Sequence, residues 1–305
     1  MTHVAYEVVD VFTATRFGGN PLAVIPDARG LEDALMQRIA AEFGYSETTF
    51  VLPPSDPQHT ARVRIFTPTT EVPFAGHPNV GTAFVLATRA AKPPARLLFE
   101  EGAGLVPVEI VTEQGRVVST EFTGPQPLKR MSHLSAEQAA ALLSLSASDV
   151  RTDRHAPQVI SVGLAFVAVE LTSREALRRA RPDAAAFART FPCDGSDAVY
   201  FYTRDVPSDE KPCDLQARMF HPAVSGLSED PATGSATAAA AALLADLDET
   251  KDGELKLKIG QGVDMGRASL LLTRVRKQNG AVASIHVGGG SVKIMEGTFS
   301  LEGKE

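Results

Sequence analysis

The sequence has few of the features that mark disulfide-rich, metal-binding or membrane proteins. Its 305 residues include only two cysteines, Cys193 and Cys213, and they form no CxxC pair. The sequence therefore predicts neither a disulfide framework nor a zinc site, and it suits a reducing compartment. The longest fully apolar run, Ala238 to Ala245, is far shorter than the ~18–20 residues of a membrane span. No basic region followed by an apolar run begins the chain, so we expect no secretory signal and a cytoplasmic protein.

The lack of basic charge and of several common motifs limits the classes of function that the sequence supports. The formal net charge is −7, which argues against a basic surface for phosphates and against nucleic acid as a partner. The chain contains no GxxxxGK[ST], no GxSxG and no HExxH, so we expect no P-loop, no serine hydrolase elbow and no catalytic metal. The run Gly288-Gly289-Gly290 lies between predicted strands, and we interpret it as a turn rather than a nucleotide loop.

Two short segments repeat one pattern at an offset of 153 residues. The first runs from Phe74 to Ala83 and the second from Ser228 to Ala236. His77 aligns with Asp230, and in both copies a proline, a two-residue spacer, a glycine, a hydroxyl residue and an alanine follow. We interpret each copy as a loop leading into the N-terminus of a buried helix. Free N–H groups at such an end bind anions, which indicates a ligand that carries a carboxylate.

The repeat also predicts the architecture. We expect two similar domains, 1–125 and 126–290, with residues of about 290–305 able to return to the first. Each half contains many antiparallel strands and one nearly all-apolar helix. The predicted fold class is therefore α+β, with a barrel-like, mostly antiparallel sheet around a central helix in each domain. An alternating βα fold fits less well, because the helices are too few.

Several local signals predict element boundaries. Leu31, Leu35, Ile39 and Phe43 lie four residues apart and predict one face of a helix that ends at Gly44. The segment Tyr45 to Leu52, which contains Glu47, predicts a strand. A capping box at Ser135 opens a predicted helix through Leu145.

Motifs across most of the chain carry a family resemblance. They are Phe17 to Pro21, Ser46 to Phe50, Arg64 to Pro78, Gly81 to Ala83, Glu229 to Ala236, and Gln261-Gly262 with Gly266-Arg267. Together they resemble the PhzF-like family, named for the phenazine-biosynthesis isomerase, and more distantly the diaminopimelate epimerases. The resemblance implies the diaminopimelate epimerase-like fold with an active site between the two domains. It also implies a cofactor-free isomerase, often a homodimer, that acts on a small carboxylate-bearing substrate.

The resemblance assigns roles to residues of these motifs. It implies that Glu47 is the general acid/base and that His77 and Asp230 complete the catalytic set. The predicted substrate-binding residues are Asn20, Gly76, Gly81, Gly234 and Ser235. A carboxyl group that takes and returns a proton works best when burial raises its pKa toward neutrality.

Alternatives remain open at this point. Glu47 could be a solvated strand end, His77 a capping or core histidine, and Asp230 an N-cap. The related epimerases hold a cysteine at each loop–helix site, and this chain has none there, which argues against two-thiol chemistry. The chain also departs from the common pattern at Asn79-Val80 and at Ala268. A non-catalytic binding protein on the same scaffold and an amino-acid epimerase or racemase are the alternative functions.

Overall fold

The polypeptide leaves its first unit at Pro125 and returns to it at Gly288. In the computed structural model, one unit comprises Met1–Pro125 and Gly288–Glu305, and the other comprises Gln126–Val287. The structure describes residues 3–207, 213–223 and 226–301. Residues 1–2 and 302–305, which belong to the predicted first domain, lie outside the described residues.

The first unit contains most of its elements before the linker. They are β1 (His3–Val11), β2 (Asn20–Ile25), α1 (Asp33–Phe43), β3 (Thr48–Leu52), β4 (Ala61–Phe66), β5 (Glu71–Val72), α2 (Gly76–Arg89), β6 (Arg96–Glu101), β7 (Gly104–Glu113), β8 (Arg116–Thr123) and, after the return, β19 (Ser291–Ser300). Strand β1 pairs antiparallel with β2 and β19. The pairs β2–β3 and β4–β6 are parallel, whereas β3–β4, β6–β7 and β7–β8 are antiparallel.

Helix α2 is the centre of this unit. It contacts β1, β2, β3, β7, β8 and β19, and its first eight residues are all buried. Gly81 lies where the helix approaches the sheet most closely, because a Cβ added there would lie 2.6 Å from Leu22 Cδ2 and 2.7 Å from Val11 Cγ2. Small residues on α2 thus allow a sheet to surround it.

The second unit repeats this arrangement. Its elements are β9 (Lys129–His133), α3 (Ala136–Leu142), β10 (Val150–Arg151), β11 (Gln158–Ser161), β12 (Ala165–Leu171), α4 (Arg174–Arg179), α5 (Ala184–Thr190), β13 (Val199–Thr203), β14 (Leu215–Ala223), β15 (Gly226–Glu229), α6 (Gly234–Asp246), β16 (Gly253–Gln261), β17 (Ser269–Gln278) and β18 (Ala281–Gly289). Helix α6 contacts β11, β12, β16 and β17, and every residue from Gly234 to Ala245 is buried. The predicted α+β architecture, with mostly antiparallel strands around one apolar helix in each half, is confirmed.

Some of the predicted element boundaries are confirmed, and others are wrong. Helix α1 ends at Phe43, and Gly44 caps it in the left-handed conformation, as predicted. The predicted capping box of Ser135 and Gln138 is also present. Helix α3 ends at Leu142 rather than Leu145, because Ser144 adopts a positive φ of 52° that a helix does not accept. Gly288 and Gly289 belong to β18 rather than to a turn. A side chain at Gly288 would collide with the backbone of Thr120, which explains the glycine.

The two copies of the repeat differ as helix starts, which corrects the sequence interpretation. Helix α2 begins at Gly76, so His77 and Pro78 lie within its first turn. Helix α6 begins only at Gly234, so Asp230 lies in the preceding loop. A proline is tolerated in the first turn because the N–H groups there have no helical partner. Among the helices of the described ranges, none is long and apolar enough to cross a membrane.

Candidate active site

Glu47 and His77 meet in the first unit. Glu47 directly precedes β3, which begins at Thr48 rather than at Tyr45 as predicted. Its Oε2 lies 3.5 Å from Nδ1 of His77, and the two side chains are 19% and 5% exposed. This burial does not fit a solvated strand end. The loop between α1 and β3 therefore brings an ionisable carboxyl to the first turn of α2.

Asn20 completes this cluster. It begins β2 and is fully buried, and its Nδ2 lies 3.4 Å from Nδ1 of His77. Nδ1 thus lies close to both the Asn20 amide and the Glu47 carboxyl, and in the tautomer with its proton on Nε2 it accepts from the amide N–H. Nε2 of His77 is buried and has no hydrogen-bond partner among the described residues. In the Nε2–H tautomer, the ring offers one N–H donor that the described residues leave unused.

Asp230 belongs to a second cluster, in the loop before α6. Its Oδ2 accepts a 2.5 Å hydrogen bond from the Thr233 hydroxyl. Gln261, the last residue of β16, donates through Nε2 to the Asp230 carbonyl at 2.9 Å and accepts at Oε1 from the Thr233 N–H at 3.1 Å. The N-cap of α6 is Thr233, so the alternative role of Asp230 as N-cap is wrong. Its carboxylate is fixed in the loop instead.

Gln261 has no predicted role of its own, although Gln261-Gly262 is one of the motifs that carry the family resemblance. Gly262 has φ 72°, and a Cβ added there would lie 2.5 Å from the Arg267 carbonyl oxygen and 2.6 Å from that of Pro231. Only glycine fits between these two backbones. The motif therefore holds the Asp230 loop against the end of β16.

The predicted substrate contacts divide between the two clusters. Gly76 is the first residue of α2, and Gly234 and Ser235 are the first residues of α6. All three are buried and stand where a helix leaves N–H groups free. Gly81 lies beyond those first four N–H groups, so the helix-end argument no longer applies to it, and a substrate contact there stays a prediction without this support.

With this geometry established, comparison with known proteins is informative. A family model described as phenazine biosynthesis-like protein matches residues 9–297. The chain belongs to this family. The PhzF-like resemblance drawn from the motifs is therefore confirmed.

Relatives of this chain include named isomerases. A protein of Mesorhizobium japonicum, named an uncharacterized isomerase, is 38% identical over 97% of this chain and 98% of its own length. The trans-2,3-dihydro-3-hydroxyanthranilate isomerase of Pseudomonas aeruginosa is 36% identical over 97% of this chain and 99% of its own length. The crystal structure of the PhzF-family protein of Bacillus anthracis has a TM-score of 0.86 at 27% identity, covering 99% of this chain and 100% of that one. The predicted enzyme class, an isomerase, is confirmed.

Burial sets the protonation state of His77. Loss of solvent lowers the pKa of the imidazole to about 3, because an imidazolium ion without water is unfavourable. The ring is therefore neutral at physiological pH. It can donate a hydrogen bond through Nε2 but does not carry a positive charge. In the described parts of the chain, no group of three or more His, Cys, Asp or Glu side chains is arranged to hold a metal ion.

We predict that the His77 ring stays neutral in the folded protein between about pH 8 and about pH 4. Long-range ¹H–¹⁵N spectra of histidine-labelled protein, assigned with His77→Gln, measure both the charge and the tautomer. In urea the same ring should titrate near ~6.5, the value for a solvated imidazole. Because the folded pKa of about 3 lies below the unfolded value of ~6.5, the unfolded state takes up the proton first. His77 therefore lowers the stability as the pH falls from ~6.5 toward that folded pKa, by up to about 1.4 kcal/mol per pH unit. A native midpoint near ~6.5 would contradict the assignment.

Proposed function

We propose that this protein moves a proton within a small carboxylate-bearing substrate, with Glu47 as the general acid/base. The observation that carries the proposal is the contact of 3.5 Å between the Glu47 carboxyl and His77 in a mostly buried setting. A carboxyl group held in such a setting can take a proton from carbon and keep it from solvent. The family's named isomerases support the same kind of reaction.

In the proposed reaction, the Glu47 carboxylate removes a proton from a carbon next to a carbonyl or unsaturated group. The electron pair of the broken C–H bond moves into that group. The Nε2–H of His77 donates a hydrogen bond to the charge that develops, because it is the buried donor that the described protein leaves unpaired. The protonated Glu47 then returns its proton at another carbon, so the substrate is isomerised without net gain or loss of atoms. No cofactor takes part in this scheme.

Asp230 and the helix starts have binding roles in the proposal. The Asp230 carboxylate, fixed by Thr233, orients a polar group of the substrate. Free N–H groups at Gly76, Gly234 and Ser235 hold the substrate carboxylate. A cytoplasmic location and a homodimer are parts of the same proposal.

The test is proton exchange with solvent. The protein is incubated in ²H₂O with trans-2,3-dihydro-3-hydroxyanthranilate, the compound in the name of the Pseudomonas aeruginosa relative, and with a panel of small cyclic and amino-acid carboxylates. We expect one compound to gain deuterium at carbon and to form a double-bond isomer, as followed by NMR.

Two other outcomes would support the alternatives. Binding without any deuterium incorporation would favour a non-catalytic small-molecule-binding protein. Loss of optical rotation from one enantiomer, with deuterium at the stereocentre and no shift of a double bond, would favour an epimerase or racemase. Either result would overturn the proposed isomerisation.

A further inference from the structure

A buried carboxyl outside the catalytic cluster lies beside the start of α2. Glu101 is the last residue of β6, and the turn that follows it is fixed to the segment leading into α2. The Ala103 N–H donates to the Pro73 carbonyl at 2.9 Å, and a Cβ added at Gly102 would lie 3.0 Å from Pro73 Cα. These contacts hold Glu101 close to the helix start that the proposed function assigns to substrate binding.

Hydrogen bonding around Glu101 is incomplete. Both of its carboxyl oxygens are buried without a well-formed hydrogen bond in the part of the chain that the structure describes. Oδ1 of Asn79 is also buried without a hydrogen-bond partner among the described residues, and Asn79 is 0% exposed. The Asn79 amide nevertheless lies close enough to act on the pKa of Glu101 by hydrogen bonding. Buried polar groups without partners are costly, so this pair of side chains requires an explanation.

A neutral Glu101 would allow both side chains to be satisfied. A carboxylic acid and a primary amide can pair through two hydrogen bonds, from the acid O–H to the amide oxygen and from the amide N–H to the acid's other oxygen. An ionised carboxylate has no O–H and would repel Oδ1 of Asn79. Burial raises the pKa of Glu101 to about 8, against a smaller opposite effect of Asn79, so the acid is neutral at pH 7.

The second N–H of Asn79 links this pair to the backbone of α2. Nδ2 of Asn79 donates to the carbonyl oxygen of Ala75 at 3.0 Å. That carbonyl belongs to the same planar, trans peptide unit as the N–H of Gly76, so fixing one direction fixes the other. Polarising the carbonyl also makes this N–H a stronger donor.

We propose that Glu101 acts through Asn79 as a positioning residue, which orients the Gly76 N–H and, while neutral, adds no second negative charge to that of Glu47 at the start of α2. The inference rests on the proposed function, in which this N–H holds the substrate carboxylate. Asn79 and Glu101 thereby form a matched pair, and Asn79 is one of the positions at which the chain departs from the common family pattern.

Several other titratable or charged groups lie on β6 or on the elements beside it. They are Glu100, bonded to His59; Arg62, opposite Glu100 in the β4–β6 register; Glu109 of β7, paired with Arg96; Glu71, paired with Arg64; and the neutral His77 of α2. Burial and Asn79 account for the pKa shift of Glu101. Ionisation of Glu101 above pH 8 would therefore bring a new, uncompensated negative charge to the helix start.

A first experiment is independent of any substrate. Carboxyl ¹³C shifts of Glu101 and the amide shift of Gly76 are followed by NMR between pH 6 and pH 10 in wild type, E101Q, N79L and the control E109Q, whose carboxyl is exposed. We expect Gly76 and Glu101 to titrate with one common midpoint in wild type and in E109Q. In E101Q the Gly76 shift should stay flat, and in N79L Glu101 should titrate without moving Gly76. If the amide shift of Gly76 in wild type does not change as Glu101 titrates, the proposal is overturned.

A second experiment tests the consequence for binding. The probe is 3-hydroxyanthranilate, an aromatic aminocarboxylate related to the compound in the relative's name, and its Kd is measured at pH 7 and pH 9. We expect about a tenfold weaker Kd at pH 9 in wild type, since about a tenth of Glu101 stays neutral there, and no such change in E101Q. Equal pH dependence in E101Q would contradict the inference. If Gly76 and Glu101 titrate together but the probe binds at no pH, the positioning role of Glu101 is supported. The proposed function is then contradicted.

Discussion

Replacing Glu47 with glutamine is expected to lower kcat/KM by about 10²–10⁴-fold, the usual contribution of a general acid/base. Glutamine keeps the size and most of the polarity of the side chain but cannot take up the proton from carbon. The Glu47 side chain is 19% exposed and the His77 ring beside it is neutral, so the substitution should leave the fold intact. The measurement is deuterium incorporation from solvent together with initial rates on the substrate identified by the exchange screen.

The matched control is Glu113→Gln, which removes an exposed carboxyl at the end of β7. Its rate should equal that of wild type. Ligand affinity in Glu47→Gln should change far less than the rate, because the proposed role of Glu47 is in the transition state. Full activity in Glu47→Gln would refute the assignment of Glu47, whereas equal losses of binding and rate would indicate a binding residue.

Arg218 is expected to be a main determinant of stability in the second unit. Its side chain is 6% exposed and lies in β14, with Nε and one terminal nitrogen donating to the Glu229 carboxylate at 2.8 and 2.7 Å. The other terminal nitrogen donates to the carbonyl oxygens of Leu177 at 2.7 Å and Ala180 at 3.1 Å. The guanidinium also lies 5.0 Å from the ring centre of Phe220. One side chain thus joins β14, β15 and the end of α4.

Arg218→Met is expected to cost about 3–5 kcal/mol of unfolding free energy, because it leaves a mostly buried carboxylate and two carbonyls without their donor. Asp230 follows β15 directly and its N–H donates to the Met219 carbonyl at 3.1 Å, so activity should fall as well. Urea unfolding followed by circular dichroism measures the stability. The control Arg178→Met removes a pair with Glu175 that is 62% and 57% exposed, and it should unfold near the wild-type midpoint. Equal midpoints for the two variants would show that Arg218 is dispensable.

The internal repeat illustrates the limit of sequence reasoning. Five matching positions predicted two buried helices, and both exist as α2 and α6. The pattern did not show that α2 begins at Gly76 whereas α6 begins only at Gly234. The difference arises from Gln261, which binds the Asp230 carbonyl and Thr233 and so keeps that loop out of the helix. No such clamp is visible in the spacing of the motif itself.

The sequence by itself determined the family, the α+β class and the identity of Glu47, His77 and Asp230 as candidates, because motifs and periodicity are local. Only the tertiary structure showed that Asn20 and Glu47 both approach Nδ1 of His77, whereas Nε2 has no hydrogen-bond partner among the described residues. It alone placed Glu101 beside Asn79. These contacts join residues far apart in the chain, and the pKa shifts that accompany them come from burial. Burial depends on how the strands pack around a helix, and the amino-acid sequence does not show that packing directly.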